Sequence, residues 1–264
     1  YWDEFGPLNK TLTSLDQNGN IRRSAIAMGD FTNVANAREL LGTLLLQAGN
    51  SITVQNSDGT IESALSTSAR IDPSSAVRFF TQFVNPSDAN YSWNRGMPNS
   101  KTAFLSGTLA TYFGFASELK DLRAKNPNLN FDAAPIPQLR SGGVKATYGR
   151  LYGLSIVRSS PNQNAAYQTF AILVNPTNLS QLSQMTYLPS ISLSLISSGS
   201  SDPYLTIFNQ AVLVAKTWLD ADQTRSYQIL GNMVGSITSG AKTIQEAVND
   251  AGEEYDVALR QAMQ

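Results

Sequence analysis

A short turn at residues 114–117 combines the groups that bind a small polar molecule without reacting with it. The turn follows an apolar run, residues 109–113, that predicts a buried strand, and it precedes a segment with helical spacing that Ser117 can cap. The first amides of a helix lack intrahelical partners, so the backbone from Gly114 onward can donate hydrogen bonds to a ligand. Phe115 adds an aromatic ring. The alternative is that Phe115 is a core residue and that the turn only connects two elements.

Covalent chemistry is restricted by the residue types that the chain contains. His and Cys are both absent, which excludes disulfides, cysteine nucleophiles, the Ser-His-Asp triad and nearly all zinc sites. Ser117 and Lys120 have the S-x-x-K spacing of serine acyl-enzymes, but the companion motifs S-D-N and K-T-G are missing. Residues 16–20 predict a turn and not a calcium loop, because Ala27 stands where a bidentate Glu belongs. No metal or cofactor is predicted.

The composition is that of an ordinary globular protein. The chain has 264 residues, of which 42% are hydrophobic and 15% charged, enough for one large domain or two smaller ones. Its formal net charge is -1 and no run of Lys or Arg stands out, so nucleic acid is not an expected partner. No apolar run reaches the roughly 18 residues of a membrane span. Residues 1–5, YWDEF, are neither an initiator Met nor a signal segment, so we expect the chain to start inside a longer protein.

Apolar residues spaced three and four apart predict a mainly helical chain with a few short strands. The predicted helices cover residues 3–15, 33–48, 73–84 and 161–174 and much of 205–259, where Thr243 and Glu246 form a capping box. Residues 187–202 are predicted to be part extended and part loop. Strands are predicted at 131–136 and 148–157, with a hairpin around residues 58–59.

Several motifs, taken in order along the chain, carry a family resemblance. They are YWDEF at the start, AFLSGTLATYFG with Thr111 where a Met is common, FDAAPIPQL, YGRLYGLSIVRSSPNQNAAYQTFAILV, TYLPSIS, and a closing pair of helices from KTWLDADQ onward. Their order resembles that of the bacterial extracellular solute-binding proteins of ABC importers, in particular the sugar-binding family that includes the maltose-binding proteins. The resemblance covers essentially the whole chain.

The resemblance implies an α/β fold of the periplasmic-binding-protein-like type, class II, with a helix-rich second lobe and the returning segment of a first lobe. It assigns residues 1–128 to the first part of the second lobe, 129–184 to the returning first-lobe segment, and 185–264 to the closing helices of the second lobe. Family members have most of a first lobe ahead of the W-D-E motif. We therefore expect that lobe, and a signal or lipoprotein segment, to lie upstream of this chain.

The resemblance also implies a function. Such a protein captures a small solute, here a sugar or oligosaccharide, between two hinged lobes outside the cell or in the periplasm, and delivers it to a membrane permease without catalysis or a cofactor. Aromatic rings stack on sugar faces and polar side chains bind hydroxyls. The residues carried over by position are Gly114, Phe115, Ser117, Tyr152 and Trp218, with Trp93, Asn94, Arg150 and Tyr187 as further candidates.

Two other classes of protein stay open from the sequence alone. One is a carbohydrate-active hydrolase, although the sequence pairs no two carboxylates as that chemistry requires. The other is a helical interaction module, in which the same aromatic side chains would be core or surface rings.

Overall fold

The computed structural model describes residues 1–262, which form two compact units. Unit 1 contains Tyr1–Gly114, Pro137–Tyr148 and the chain from Lys216 onward, and unit 2 contains Phe115–Ile136 and Gly149–Ala215. The chain therefore passes between the units at residues 114–115, 136–137, 148–149 and 215–216.

The helices and strands alternate irregularly along the chain. The helices are α1 Phe5–Leu12, α2 Ala37–Gln47, α3 Ser74–Thr81, α4 Ser100–Leu105, α5 Leu119–Lys125, α6 Gln163–Leu173, α7 Pro176–Thr186, α8 Leu193–Ser197, α9 Pro203–Val212, α10 Gln223–Thr238 and α11 Ile244–Ala262. The strands are β1 Ser14–Leu15, β2 Ile21–Ile26, β3 Thr53–Gln55, β4 Ile61–Ser63, β5 Leu109–Thr111, β6 Thr147–Tyr148 and β7 Ala215–Lys216. Short 3₁₀ turns occupy Trp2–Glu4, Gln82–Val84 and Ala116–Glu118.

The core of unit 1 is built around α2 and a small mixed sheet. All residues of α2 are buried, including the polar Arg38, Glu39 and Thr43, whereas the apolar spacing of the sequence predicts burial of one face. The strand β2 pairs antiparallel with β1 and parallel with β5, with Ser24 opposite Leu109 and Ile26 opposite Thr111. The predicted strand at 109–113 is thus confirmed over its first three residues. The predicted hairpin is confirmed as the antiparallel pair β3 and β4.

The capping box that the sequence predicts ahead of α11 is confirmed. The Thr243 N–H donates to Glu246 Oε2 at 2.8 Å, and the Glu246 N–H donates to Thr243 Oγ1 at 3.3 Å. Each side chain therefore satisfies a backbone group that the helix leaves without an intrahelical partner.

Replacing Thr243 should destabilise unit 1 modestly. Thr243→Ala removes the hydroxyl that accepts the Glu246 N–H, and we expect the free energy of unfolding to fall by about 1 kcal/mol. Urea denaturation followed by circular dichroism would measure it. Thr243→Ser keeps the hydroxyl and is the matched control; equal losses in both variants would show that the cap does not stabilise the helix.

Unit 2 has a much thinner core than unit 1. Helices α6 and α7 contain no buried residue, and the apolar side chains of Leu151 and Leu193 are 80% and 69% exposed. Arg158 is the single charged residue between residues 151 and 201. This part of the chain therefore presents a broad surface that is both apolar and nearly uncharged.

Three secondary-structure predictions within unit 2 and its borders are wrong. Residues 131–136 form no strand, and of the predicted strand 148–157 only Tyr148 lies in one. Both segments are rich in apolar residues, but a strand forms only where a neighbouring strand takes up its backbone groups. Asn175 and Pro176 end α6 as predicted, yet they also start α7, with Asn175 as its cap and Pro176 in its first turn. Residues 187–202 contain the short helix α8.

The predicted lobe division at 1–128, 129–184 and 185–264 differs in its boundaries from the two compact units. The lobe division concerns a complete two-lobed protein, and it stays a prediction.

Candidate functional site

The turn at 114–117 is arranged differently from the prediction in one respect. Ser117 does not cap the helix; it lies exposed inside the 3₁₀ turn Ala116–Glu118. The Glu118 side chain performs that role instead, since its Oε2 accepts the Phe115 N–H at 2.8 Å. Glu118 therefore takes up the amide of Phe115 that the sequence left available for a ligand.

Two of the predicted site residues, Phe115 and Arg150, meet within unit 2. The guanidinium carbon of Arg150 lies 5.4 Å from the centre of the Phe115 ring, a distance typical of a cation–π contact. Tyr152 follows two residues later and is 83% exposed. Unit 2 thus pairs a half-buried ring with an exposed guanidinium, and an exposed phenol lies two residues along the chain from that guanidinium. Such groups can stack on a flat apolar face and donate hydrogen bonds to hydroxyls.

Tyr187 belongs to a second cluster of unit 2, which the sequence did not reveal. It ends α7 in the left-handed conformation, with φ of 59°. Arg123 lies between two rings, 4.5 Å from the centre of Tyr204 and 6.0 Å from that of Tyr187. Tyr204 also donates its hydroxyl hydrogen to the Phe131 carbonyl at 3.1 Å, and its hydrogen bond with Arg123 raises the pKa of that guanidinium.

Trp218 is a buried ring of unit 1, only 7% exposed. Its Nε1–H donates to the Tyr255 hydroxyl at 2.8 Å, and that hydroxyl donates to Asp220 Oδ1 at 2.8 Å. Burial, with the charge of Asp220, raises the pKa of Tyr255, so the phenol stays protonated and remains a donor. One edge of Trp218 lines an open cavity of about 380 Å³ in unit 1, together with Val54, Val144 and Lys216.

Trp93 and Asn94 are occupied by contacts within unit 1. Trp93 is fully buried, at 0% exposure, and its Nε1–H donates to Asn33 Oδ1 at 2.8 Å. The Asn94 side chain donates to the Tyr91 hydroxyl at 2.8 Å and accepts the Gly96 N–H at 2.9 Å. Trp93 is therefore a core residue, and Asn94 stabilises a local turn. Gly114 is the last residue of the first segment of unit 1 and is exposed.

Residues 1–262 contain neither a candidate metal site nor a candidate membrane span. Within them, no group of three or more Asp or Glu side chains is placed to hold a metal ion. No helix in the same part of the chain is both long and apolar enough to cross a membrane.

Comparison with known proteins gives one informative result. No protein-family model matches the sequence, and no curated protein matches it. The structure is similar to that of a Thermus thermophilus maltotriose binding protein bound with maltotriose, at a TM-score of 0.64 and 17% sequence identity. The match covers 100% of this chain and 66% of that protein, so this chain spans about two thirds of its length.

The chain therefore has a mixed α/β fold of the periplasmic-binding-protein-like type, as the order of its sequence motifs predicts. Identity as low as 17% makes this a likeness of fold.

Proposed function

We propose that this chain belongs to the substrate-binding component of an ABC-type importer, a non-catalytic protein that captures a small solute of the sugar or oligosaccharide class. The fold supports the proposal, because the similar solved structure is that of a maltotriose binding protein. The order of the sequence motifs supports it independently. In this proposal the full-length protein acts outside the cell or in the periplasm, tethered to the membrane, and passes its solute to a permease.

The observation that carries the proposal is the pairing of Phe115 with Arg150 in unit 2, two residues along the chain from the exposed Tyr152. Phe115 and Arg150 are held together by a contact of 5.4 Å, while Tyr152 projects into solvent at 83% exposure. A sugar presents flat C–H patches and many hydroxyls, so a ring, a phenol and a guanidinium are matched to it. We include Tyr187 with its neighbour Arg123 as a second group, and Gly114, Ser117 and Trp218 as flanking residues whose role stays a prediction. Trp93 and Asn94 are left out, since both are occupied within unit 1.

Calorimetric titration would test the proposal. The full-length protein is titrated with maltotriose and then with a panel of mono- and oligosaccharides, and each mixture is analysed for products by chromatography. Binding without turnover supports the receptor. Product formation would support the alternative of a carbohydrate-active hydrolase, and absence of binding across the panel would contradict a sugar-binding role.

Substitutions in the unit 2 group should weaken binding without unfolding the protein. Phe115→Ala and Tyr152→Ala each remove a stacking surface, and we expect about a tenfold loss of affinity, equivalent to about 1.4 kcal/mol. Tyr167→Ala is the matched control, since Tyr167 is also an exposed tyrosine of unit 2 but lies on α6. If all three variants bound the sugar as the unsubstituted protein does, these residues would not form the site.

A further inference from the structure

Arg38 of α2 is a buried cation, 2% exposed, in the interior of unit 1. Its Nε–H donates to Ser226 Oγ at 2.8 Å and its Nη1–H donates to Glu39 Oε1 at 2.9 Å. The remaining Nη2 group pairs with Asp220 Oδ2. Burial alone would lower the pKa of Arg38, but a hydrogen bond with Tyr148 and the charges of Asp220 and Glu39 outweigh it, so the pKa is raised and the group stays charged.

A buried ion pair does not by itself stabilise a fold. The free energy needed to remove two charges from water offsets most of the free energy gained from their attraction. Apolar side chains of similar volume stabilise a core at least as well. A buried cation paired with two carboxylates can instead specify one conformation, and the neighbours of the guanidinium indicate which part of the chain Arg38 would hold.

Two aromatic rings, those of Tyr148 and Trp218, pack on Arg38. Each lies at or near an end of one of the three chain segments that form unit 1. The guanidinium carbon lies 4.6 Å from the centre of the Trp218 ring and 5.9 Å from that of Tyr148. The two rings lie 5.2 Å apart. Tyr148 is the last residue before the chain leaves for unit 2, and Trp218 is the third residue after it returns at Lys216.

The next turn of α2 completes the same surface. A Cβ on Gly42 would lie 2.5 Å from an atom of the Trp218 ring, so only glycine leaves room for that ring against the helix. The adjacent Thr43 Oγ1 accepts the Tyr148 N–H at 3.1 Å. Arg38, Gly42 and Thr43 thus hold both segment ends on a helix that is buried throughout.

We propose that Arg38 is a positioning residue, which fixes on α2 the two segment ends, at Tyr148 and Trp218, where the chain leaves unit 1 and returns to it. Arg38, Gly42 and Thr43 form one anchoring surface for these ends. The inference concerns unit 1 alone and goes beyond the proposed function.

Amide hydrogen exchange on the whole chain, measured by mass spectrometry, tests the inference without any ligand. Arg38→Met removes the charge and keeps the length of the side chain, and Gly42→Ala inserts a methyl group beneath Trp218. In both variants we expect peptides covering residues 145–150 and 216–221 to exchange at least tenfold faster, while peptides covering β2 and β5 keep their rates. Arg38→Lys should lie between, since an ammonium group keeps the charge but not the planar fork.

A core substitution elsewhere in unit 1 provides the control for a merely structural role. Phe83→Leu alters a buried ring that packs on Phe79, away from Arg38, Gly42 and Thr43 in the chain, so its exchange pattern should lack the local increase. Uniform acceleration throughout unit 1 in Arg38→Met and Gly42→Ala, or no acceleration at the two segment ends, would overturn the proposal. If Arg38→Met fails to fold, Arg38→Lys, which keeps the charge and loses the planar fork, decides the matter: unchanged exchange at both segment ends in that variant would overturn the proposal. None of these outcomes bears on the proposed ligand site, because no ligand is present.

Discussion

Gly252→Ala is expected to lower the free energy of unfolding by about 3 kcal/mol, because α11 has no room for a methyl group at this position. A Cβ on Gly252 would lie 1.9 Å from the carbonyl oxygen of Leu65, a contact that no side-chain rotation can relieve. The helix or the segment after β4 must therefore move, and the buried residues Val248 and Tyr255 of the same helix would lose packing. Urea denaturation followed by circular dichroism measures the loss.

Gly235→Ala in α10 is the matched control for this prediction. It is also a glycine inside a helix, but the nearest atom to its added Cβ is Arg95 Nη2 at 3.7 Å, an ordinary contact. Alanine is the better helix former, so we expect this variant to be unchanged or more stable by up to about 1 kcal/mol. Equal destabilisation at the two positions would mean that α11 does not approach Leu65 closely.

Trp93→Ala is expected to have the second large effect, a loss of about 3–5 kcal/mol in the free energy of unfolding. The side chain is completely buried, and its removal leaves a cavity and takes the donor away from Asn33 Oδ1. Trp93→Phe separates the two contributions, since it keeps most of the ring volume and loses only the hydrogen bond. Thermal and urea unfolding of both variants would provide the values.

Tyr152→Ala is the surface counterpart of Trp93→Ala, because the sequence predicted both aromatic residues to belong to the ligand site. It is 83% exposed, and its loss should change the free energy of unfolding by no more than about 0.5 kcal/mol. A stability loss at Tyr152 as large as that at Trp93 would contradict the assignment of one to the surface and the other to the core.

The elements that the sequence predicted well are those whose signals are local. The apolar stripe predicts α2, although the helix begins at Ala37, because Asn36 adopts a left-handed conformation with φ of 57°. The capping box of Thr243 and Glu246 predicts α11 from two residues three positions apart. Such signals involve residues that are close together along the chain, so they can be recognised without knowledge of the fold.

The features that the sequence could not supply depend on contacts between distant residues. Arg38 and Ser226 are 188 positions apart, and nothing in either neighbourhood indicates that they bond. The predicted strand at 131–136 has Phe131 and Ile136 at its ends, but two apolar residues do not provide a neighbouring strand. For the site, the family resemblance suggested Phe115 and Tyr152 by position, with Trp93 as a further candidate. Only burial separates a core ring such as Trp93 from an exposed one.

The near absence of charge between residues 151 and 201 has a consequence for the behaviour of the chain in concentrated solution. The segment has no carboxylate, lysine or histidine, so a change of buffer pH near neutrality leaves its charge unaltered. Arg158 is the one charged side chain in the segment, so screening by dissolved salt has little effect on its electrostatic interactions. Association between molecules through this surface is therefore driven by the hydrophobic effect. Sulfate and other solutes excluded from the protein surface strengthen that effect, and cooling weakens it.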